Sequence, residues 1–153
     1  MIHLTSDSVQ ELLDFRSEPP DWLMITQQQV DSFADCTLDH QFIHVDPAAA
    51  AATPFGGTIA HGFLLLSLQT YFAQKCAPPV SNVAFALNYG IDRVRFLAPV
   101  KVGSWIRGVP RITRVQEKQP WHFLITTSMT LEVRGEEKPA MVAELLGMVI
   151  TQS

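Results

Sequence analysis

The sequence predicts an α+β fold, a long central helix wrapped by a curved antiparallel β-sheet. Three observations lead there. Helix signals fill the first half of the chain and strand signals the second. One segment, IAHGFLLLSLQTYFAQKCAPP, is apolar nearly all round, which a helix tolerates only when other elements cover it. The β-branched and aromatic runs that follow from Val83 supply a sheet with a face to bury.

The elements follow in order. SVQELLDF reads as a short helix, broken at Pro19 and Pro20, which force extended backbone. Thr26 followed three residues later by Gln29 is a capping-box signature, and Val30, Phe33 and Ala34 fall on one helical stripe. LDHQFIHVDP is too irregular for a long helix and reads as a loop. Asp46 can cap a new helix, with Pro47 at its first position and five alanines after it. TPFGGT is a turn-rich break before the central helix, which Pro78 and Pro79 end. VAFALNYG, DRVRFLAPV, SWIRGVPRITRVQ, WHFLITTSMTLEV and MVAELLGMVITQ are the strand candidates, giving four or five antiparallel strands. Pro110 marks an edge or a bulge, because proline donates nothing to a ladder.

The 153 residues fit one domain, 1–153, without an internal repeat. The formal charge is −4 and no lysine- or arginine-rich run occurs, which argues against a nucleic-acid partner. The most apolar stretch, Ile59 to Phe72, is too short and too polar for a membrane span. The N-terminus lacks a signal-peptide pattern, and Cys36 and Cys76 form no metal or disulfide motif. Both cysteines are expected as reduced core residues, and the protein as cytoplasmic. Low charge and high apolar content suggest surface buried in an oligomer.

The chemistry concentrates between Asp39 and Gly62. Asp39 and His44, five residues apart in a loop, can face one pocket. A neutral imidazole can take a proton from water that a carboxylate orients. Phe42 and Ile43 are expected to keep that pocket dry. Burial and a nearby carboxylate push a histidine pKa in opposite directions. Gly62 opens the central helix, where backbone N–H groups lack internal partners and suit an oxyanion such as a thioester enolate. Water addition beside a thioester carbonyl would use all three features.

FADCTLDHQFIHVDPAAAAATPFGGTIAHGFLLLSL resembles the hydratase motif of R-specific enoyl-CoA hydratases, the MaoC-like proteins. That pattern runs F-A-x-x-[ST]-x-D-x-N-P-x-H-x-D-P-x-x-A and then F-x-x-x-I-x-H-G. LNYGIDRVRFLAPVKVGS resembles a second stretch of single-domain bacterial members. The resemblance implies a hot-dog fold, usually a homodimer joined edge to edge between sheets. It implies reversible hydration of trans-2-enoyl-CoA to (R)-3-hydroxyacyl-CoA, with neither cofactor nor metal beyond the CoA of the substrate. Carried over, Asp39 and His44 hold and activate the water, and the Gly62 amide polarises the thioester carbonyl. Thr70 stands where some members have a serine that supports the aspartate. Gln41-Phe42 replaces the usual Asn-Pro. Gln41 keeps an amide for the loop or substrate, and Phe42 is placed against the acyl chain. Asn88 and Tyr89 are assigned to substrate or to the dimer partner, with strand packing as the other reading.

Other residues read more plainly. His40 and His44 are four apart, but HxxxH converges on a metal only from a helix, so no metal is expected. His61 reads as structural at the helix start, and Asp46 as an N-cap only. Arg93, Arg95 and Lys101 are the nearest basic residues for a CoA phosphate. Two rivals to hydration are a hot-dog thioesterase and a non-catalytic acyl-CoA-binding protein. The former normally carries a carboxylate on the central helix, and His61 to Lys75 contains none.

Overall fold

In the computed structural model, which describes residues 1–152, helices precede and flank a single antiparallel sheet. Helix α1 (Val9–Asp14) is followed by the two-residue strand β1 (Leu23–Met24) and helix α2 (Gln27–Thr37). The capping box forms as the sequence predicts. Thr26 accepts from the Gln29 amide, and the Gln29 side chain accepts from the Thr26 amide. Leu38 then takes a left-handed φ of 64°, which ends α2 and turns the chain toward Asp39.

The expected loop contains one helical turn, α3 (Phe42–Val45), so His44 sits on a short helix. Helix α4 (Pro47–Ala51) begins as predicted, with the Asp46 carboxylate accepting from the Ala49 amide. The central helix comes as two runs, α5 (Gly62–Ser67) and α6 (Gln69–Lys75), joined through Leu68 in helical conformation.

The strands order as β1-β3-β4-β5-β2. The two runs read separately from Val83 to Val100 are one 14-residue strand, β2 (Val83–Phe96), with register shifts at Asn88–Gly90 and Ile91–Arg93. Those shifts absorb the Tyr-Gly-Ile-Asp sequence that looked like a break. Strand β3 (Trp105–Gln119) pairs with β4 (His122–Val133), which pairs with β5 (Met141–Thr151). Strand β1 covers β3 only at Trp105 and Ile106, so Pro110 lies on a free edge, where its missing N–H costs nothing.

The core lies between the central helix and the sheet. Leu64, Leu65 and Phe72 pack with Ile25, Val30, Val100, Ile106, Leu131 and Met141. A second cluster joins Leu4 and Leu12 to Phe123. Two expectations fail here. The central helix is not buried on most sides, because Phe63 and Tyr71 are exposed while Leu64, Leu65 and Phe72 point inward. Cys36 is exposed on α2, whose buried stripe is Val30 and Ala34; Cys76 is buried as expected. Helical spacing puts residue 36 off the stripe that residues 30 and 34 define.

Helix α6 approaches β3 at Gly108. A Cβ there would lie 2.7 Å from the Gln69 Oε1 atom and 2.8 Å from the Phe72 ring. Gly108→Ala is therefore expected to overpack the helix–sheet contact and to cost about 1–3 kcal/mol in urea unfolding. An unchanged urea midpoint would show that the helix can lift away freely.

Candidate active site

The site is built around the buried segment Thr58–Ala60. One side of it pairs with the chain entering β3, through Ala60 N–H to Val100 C=O and Val102 N–H to Thr58 C=O. The other side holds α3, through Ile59 N–H to Ile43 C=O at 3.0 Å. The His44 ring completes this clasp, with Nδ1 2.7 Å from the Ile59 carbonyl oxygen. A carbonyl only accepts, so Nδ1 carries the proton and Nε2 keeps a bare lone pair.

Gln27, at the start of α2, locks the same region. Its Nε2 donates to the His44 carbonyl at 2.7 Å, and its Oε1 accepts from the Thr58 hydroxyl. Nothing in the sequence TQQQV distinguishes this glutamine from its neighbours, so the sequence reading missed it.

Asp39, His44 and His61 come together. One ligand-capable atom from each lies within 4.8 Å of the others. His44 is buried, while the Asp39 side chain is 55 % exposed. Burial lowers the His44 pKa. The Ile59 carbonyl pulls it back up, His61 lowers it further, and the Asp39 charge raises it, with a net shift below the ordinary 6.5. His44 is thus neutral near pH 7, the form that can accept a proton.

The rings of His44 and His61 stack, with centroids 3.8 Å apart and planes 25° from parallel. His44 Nδ1 is already committed to Ile59, so Nε2 is the nitrogen that His44 leaves free. The cluster thus offers one atom from each side chain to a water or a proton. The histidine pair considered for a metal does not form, because His40 turns out to Asp35 at 2.8 Å.

The remaining predicted residues are distributed as follows. Gly62 begins α5 directly after His61, and its N–H has no hydrogen-bond partner among the described residues. Its missing side chain makes room for the Phe96 ring, which would lie 3.1 Å from a Cβ, rather than for an open approach. Gln41 is the exposed N-cap of α3, and its backbone N–H reaches Asp39 Oδ1 at 3.4 Å. Phe42 is 47 % exposed, so it does not dry the site within one chain; the stacked His61 ring and the Ile59 backbone lie against the His44 ring instead. Thr70 lies on the exposed side of α6 and makes no hydrogen bond to Asp39. Asn88 and Tyr89 lie exposed in the middle of β2, outside the Asp39–His44–His61 cluster. Lys101 bridges to Ile59 through the backbone, and its Nζ approaches Gly56 of the preceding turn. A shallow depression lined by Gln28, Gln29, Ser32, Phe33 and Leu64 adjoins the cluster through Phe33.

Comparison with known proteins identifies the family. Residues 9–134 match the MaoC like domain. The chain belongs to the MaoC-like dehydratase family. It is 49% identical over 124 residues to the 3-hydroxyacyl-thioester dehydratase Z of Mycobacterium tuberculosis, covering 81% of this chain and 82% of that protein. It is 43% identical to Nodulation protein N of Rhizobium leguminosarum, over 84% of this chain and 81% of the relative. The (R)-specific enoyl-CoA hydratase of Aeromonas caviae is more distant, 32% identical over 71% of this chain and 80% of its own length. The solved (R)-hydratase from A. caviae superposes with a TM-score of 0.71 at 24% identity, over 88% of this chain and 96% of that one. The fold is the hot-dog fold of this family, and the activity class is that of a hydro-lyase.

The His44 shift has a checkable sign. The unfolded chain takes up a proton on this histidine before the folded one does. Its contribution to stability is therefore complete above pH 6.5 and is lost as pH falls through the lower folded-state midpoint. Histidine NMR titration should place the His44 midpoint below 6.5. A midpoint above it would mean that Asp39 and the Ile59 carbonyl outweigh burial.

Proposed function

We propose that this chain is an (R)-specific enoyl-CoA hydratase, adding water reversibly to trans-2-enoyl-CoA to give (R)-3-hydroxyacyl-CoA. The observation that carries the reading is a buried neutral imidazole and a half-exposed carboxylate, both held against His61 at the start of the central helix. His44 Nε2 takes a proton from water as the oxygen bonds to C3. Asp39 orients that water, and a proton passes through the pair to C2, so both residues return to their starting state. The unpartnered Gly62 N–H receives the enolate-like thioester oxygen, at the end of a helix where negative charge is favoured. The relative named for this reaction lends support, and the relative named for 3-hydroxyacyl-thioester dehydration describes the reverse direction. No helix among the described residues is long and apolar enough to cross a membrane. A cytoplasmic setting and a cofactor-free reaction belong to the same proposal. So does the assignment of Gln41 and Phe42 to the substrate side of the α3 turn.

The proposal includes a homodimer. Strand β2 ends the sheet, and its Phe85, Leu87, Tyr89 and Ile91 are all exposed. A 14-residue apolar edge left unpaired invites another strand. A second copy laid along β2 would cover it and would give Asn88 and Tyr89 a partner rather than water. Thr70 on the open side of α6 would then face the partner or the acyl chain.

Two measurements test these points. Purified protein with crotonyl-CoA and longer trans-2-enoyl-CoAs should lose enoyl-thioester absorbance and form the R product. Asp39→Asn and His44→Ala should each lower kcat at least about 100-fold while remaining folded. Full activity in either variant would remove that residue from the reaction. In sedimentation, the protein should run as a dimer, and Leu87→Asp should shift it to monomer. A wild-type monomer would refute the edge pairing.

A further inference from the structure

We propose that His61 is a positioning residue for the Asp39–His44 pair, holding the Asp39 backbone from one side and the His44 ring from the other. This rests on the hydration reading above. His61 is 2 % exposed and stands at the N-cap of α5, yet it makes no side-chain capping bond. Capping therefore does not explain a histidine there, and serine, threonine, aspartate or asparagine would cap better.

Its actual bond reaches backward. His61 Nε2 lies 2.9 Å from the Asp39 carbonyl oxygen, so Nε2–H donates and anchors the loop that carries the carboxylate. The Asp39 carboxylate itself stays 4.0 Å away, free to face a water. The same imidazole stacks on His44 at 3.8 Å, and Phe33 contacts it at 5.0 Å. One ring thus fixes the spacing between the two groups proposed to share a proton.

The cost of this arrangement is visible. With Nε2 protonated, Nδ1 is a buried acceptor, and it has no hydrogen-bond partner. A residue serving only packing would not need that orphan, since phenylalanine fills similar space without it. The N–H to Asp39 is what a histidine adds there.

The test uses His61→Phe and His61→Gln in the full chain, alongside wild type. The phenylalanine keeps a stacking ring and loses the donor; the glutamine loses the ring and keeps an N–H. Crotonyl-CoA kinetics, thermal unfolding and hydrogen exchange of the peptide spanning residues 38–41 are read for each. His61→Phe should fold with a wild-type Tm and lose about 100-fold in kcat with KM within about threefold, because misplacement acts on the reacting geometry. Its 38–41 peptide should exchange about tenfold faster, since the anchoring bond is gone. His61→Gln should recover at least about tenfold in kcat and most of the protection. Wild-type kcat in His61→Phe, or unchanged exchange, would overturn the inference. So would a kcat loss that merely tracks a lowered Tm in both variants. Absence of turnover in wild type would instead reject the hydration reading, and hydrogen exchange would then decide the role of His61 alone.

Discussion

The site depends on one hydrogen bond, from His44 Nδ1 to the Ile59 carbonyl at 2.7 Å. It decides the tautomer, so the free lone pair of His44 is on Nε2. It also joins two elements that differ in kind. Ile59 belongs to a short extended segment paired with Val100–Val102, and His44 belongs to a one-turn helix that would have little stability alone. The reciprocal Ile59 N–H to Ile43 C=O bond makes the join rigid in two directions. Because His61 and Gly62 follow Ala60 immediately, the start of the central helix is placed relative to His44 by the same three residues. The start of the central helix and the α3 turn are therefore both set against Ile59, by backbone pairing and by the His44 ring, while the His61 side chain holds the Asp39 loop.

That dependence explains which parts of the molecule were legible in the sequence. Local rules acted where the partner is nearby in the chain. The Thr26–Gln29 capping box, the Asp46 cap with Pro47, and the Pro110 edge all follow from groups within a few residues or from a missing N–H. The hydratase-like spacing of Asp39, His44 and Gly62 was equally visible, since a motif preserves order. What could not be read depends on contacts across the chain. The α3 turn exists because Ile59 reaches it from 16 residues away in sequence, from Ile43 to Ile59. Leu38 adopts a left-handed φ although no glycine or asparagine announces it. Gln27 holds His44 from the start of another helix, and composition gives it no mark. His61 was visible as a residue, but its stack on His44 was not.

The central helix shows the same division in its packing. FLLLSLQTYF looked apolar nearly all round, and apolar residues alone cannot say which neighbour covers which side. The sheet covers Leu64, Leu65 and Phe72 and leaves Phe63 and Tyr71 open. Strand β2 is exposed on both faces for nearly its whole length. Apolar residues thus stay uncovered on both a helix face and a sheet edge, the surface that the proposed dimer would bury. The low charge noticed from composition fits that surface, since charges there would be desolvated on covering it.

The two members of the proposed acid–base pair meet opposite environments, and the difference has mechanistic weight. His44 is buried and neutral, while the Asp39 carboxylate is more than half exposed in one chain. A fully buried carboxylate would tend to protonate and lose its charge. A fully exposed histidine would sit near its ordinary pKa and be partly protonated when the base form is required. The fold avoids both by anchoring Asp39 through its backbone, so the side chain stays at the rim while its position is held. In the proposed reaction the exposed carboxylate can take up a water and present it to the buried imidazole.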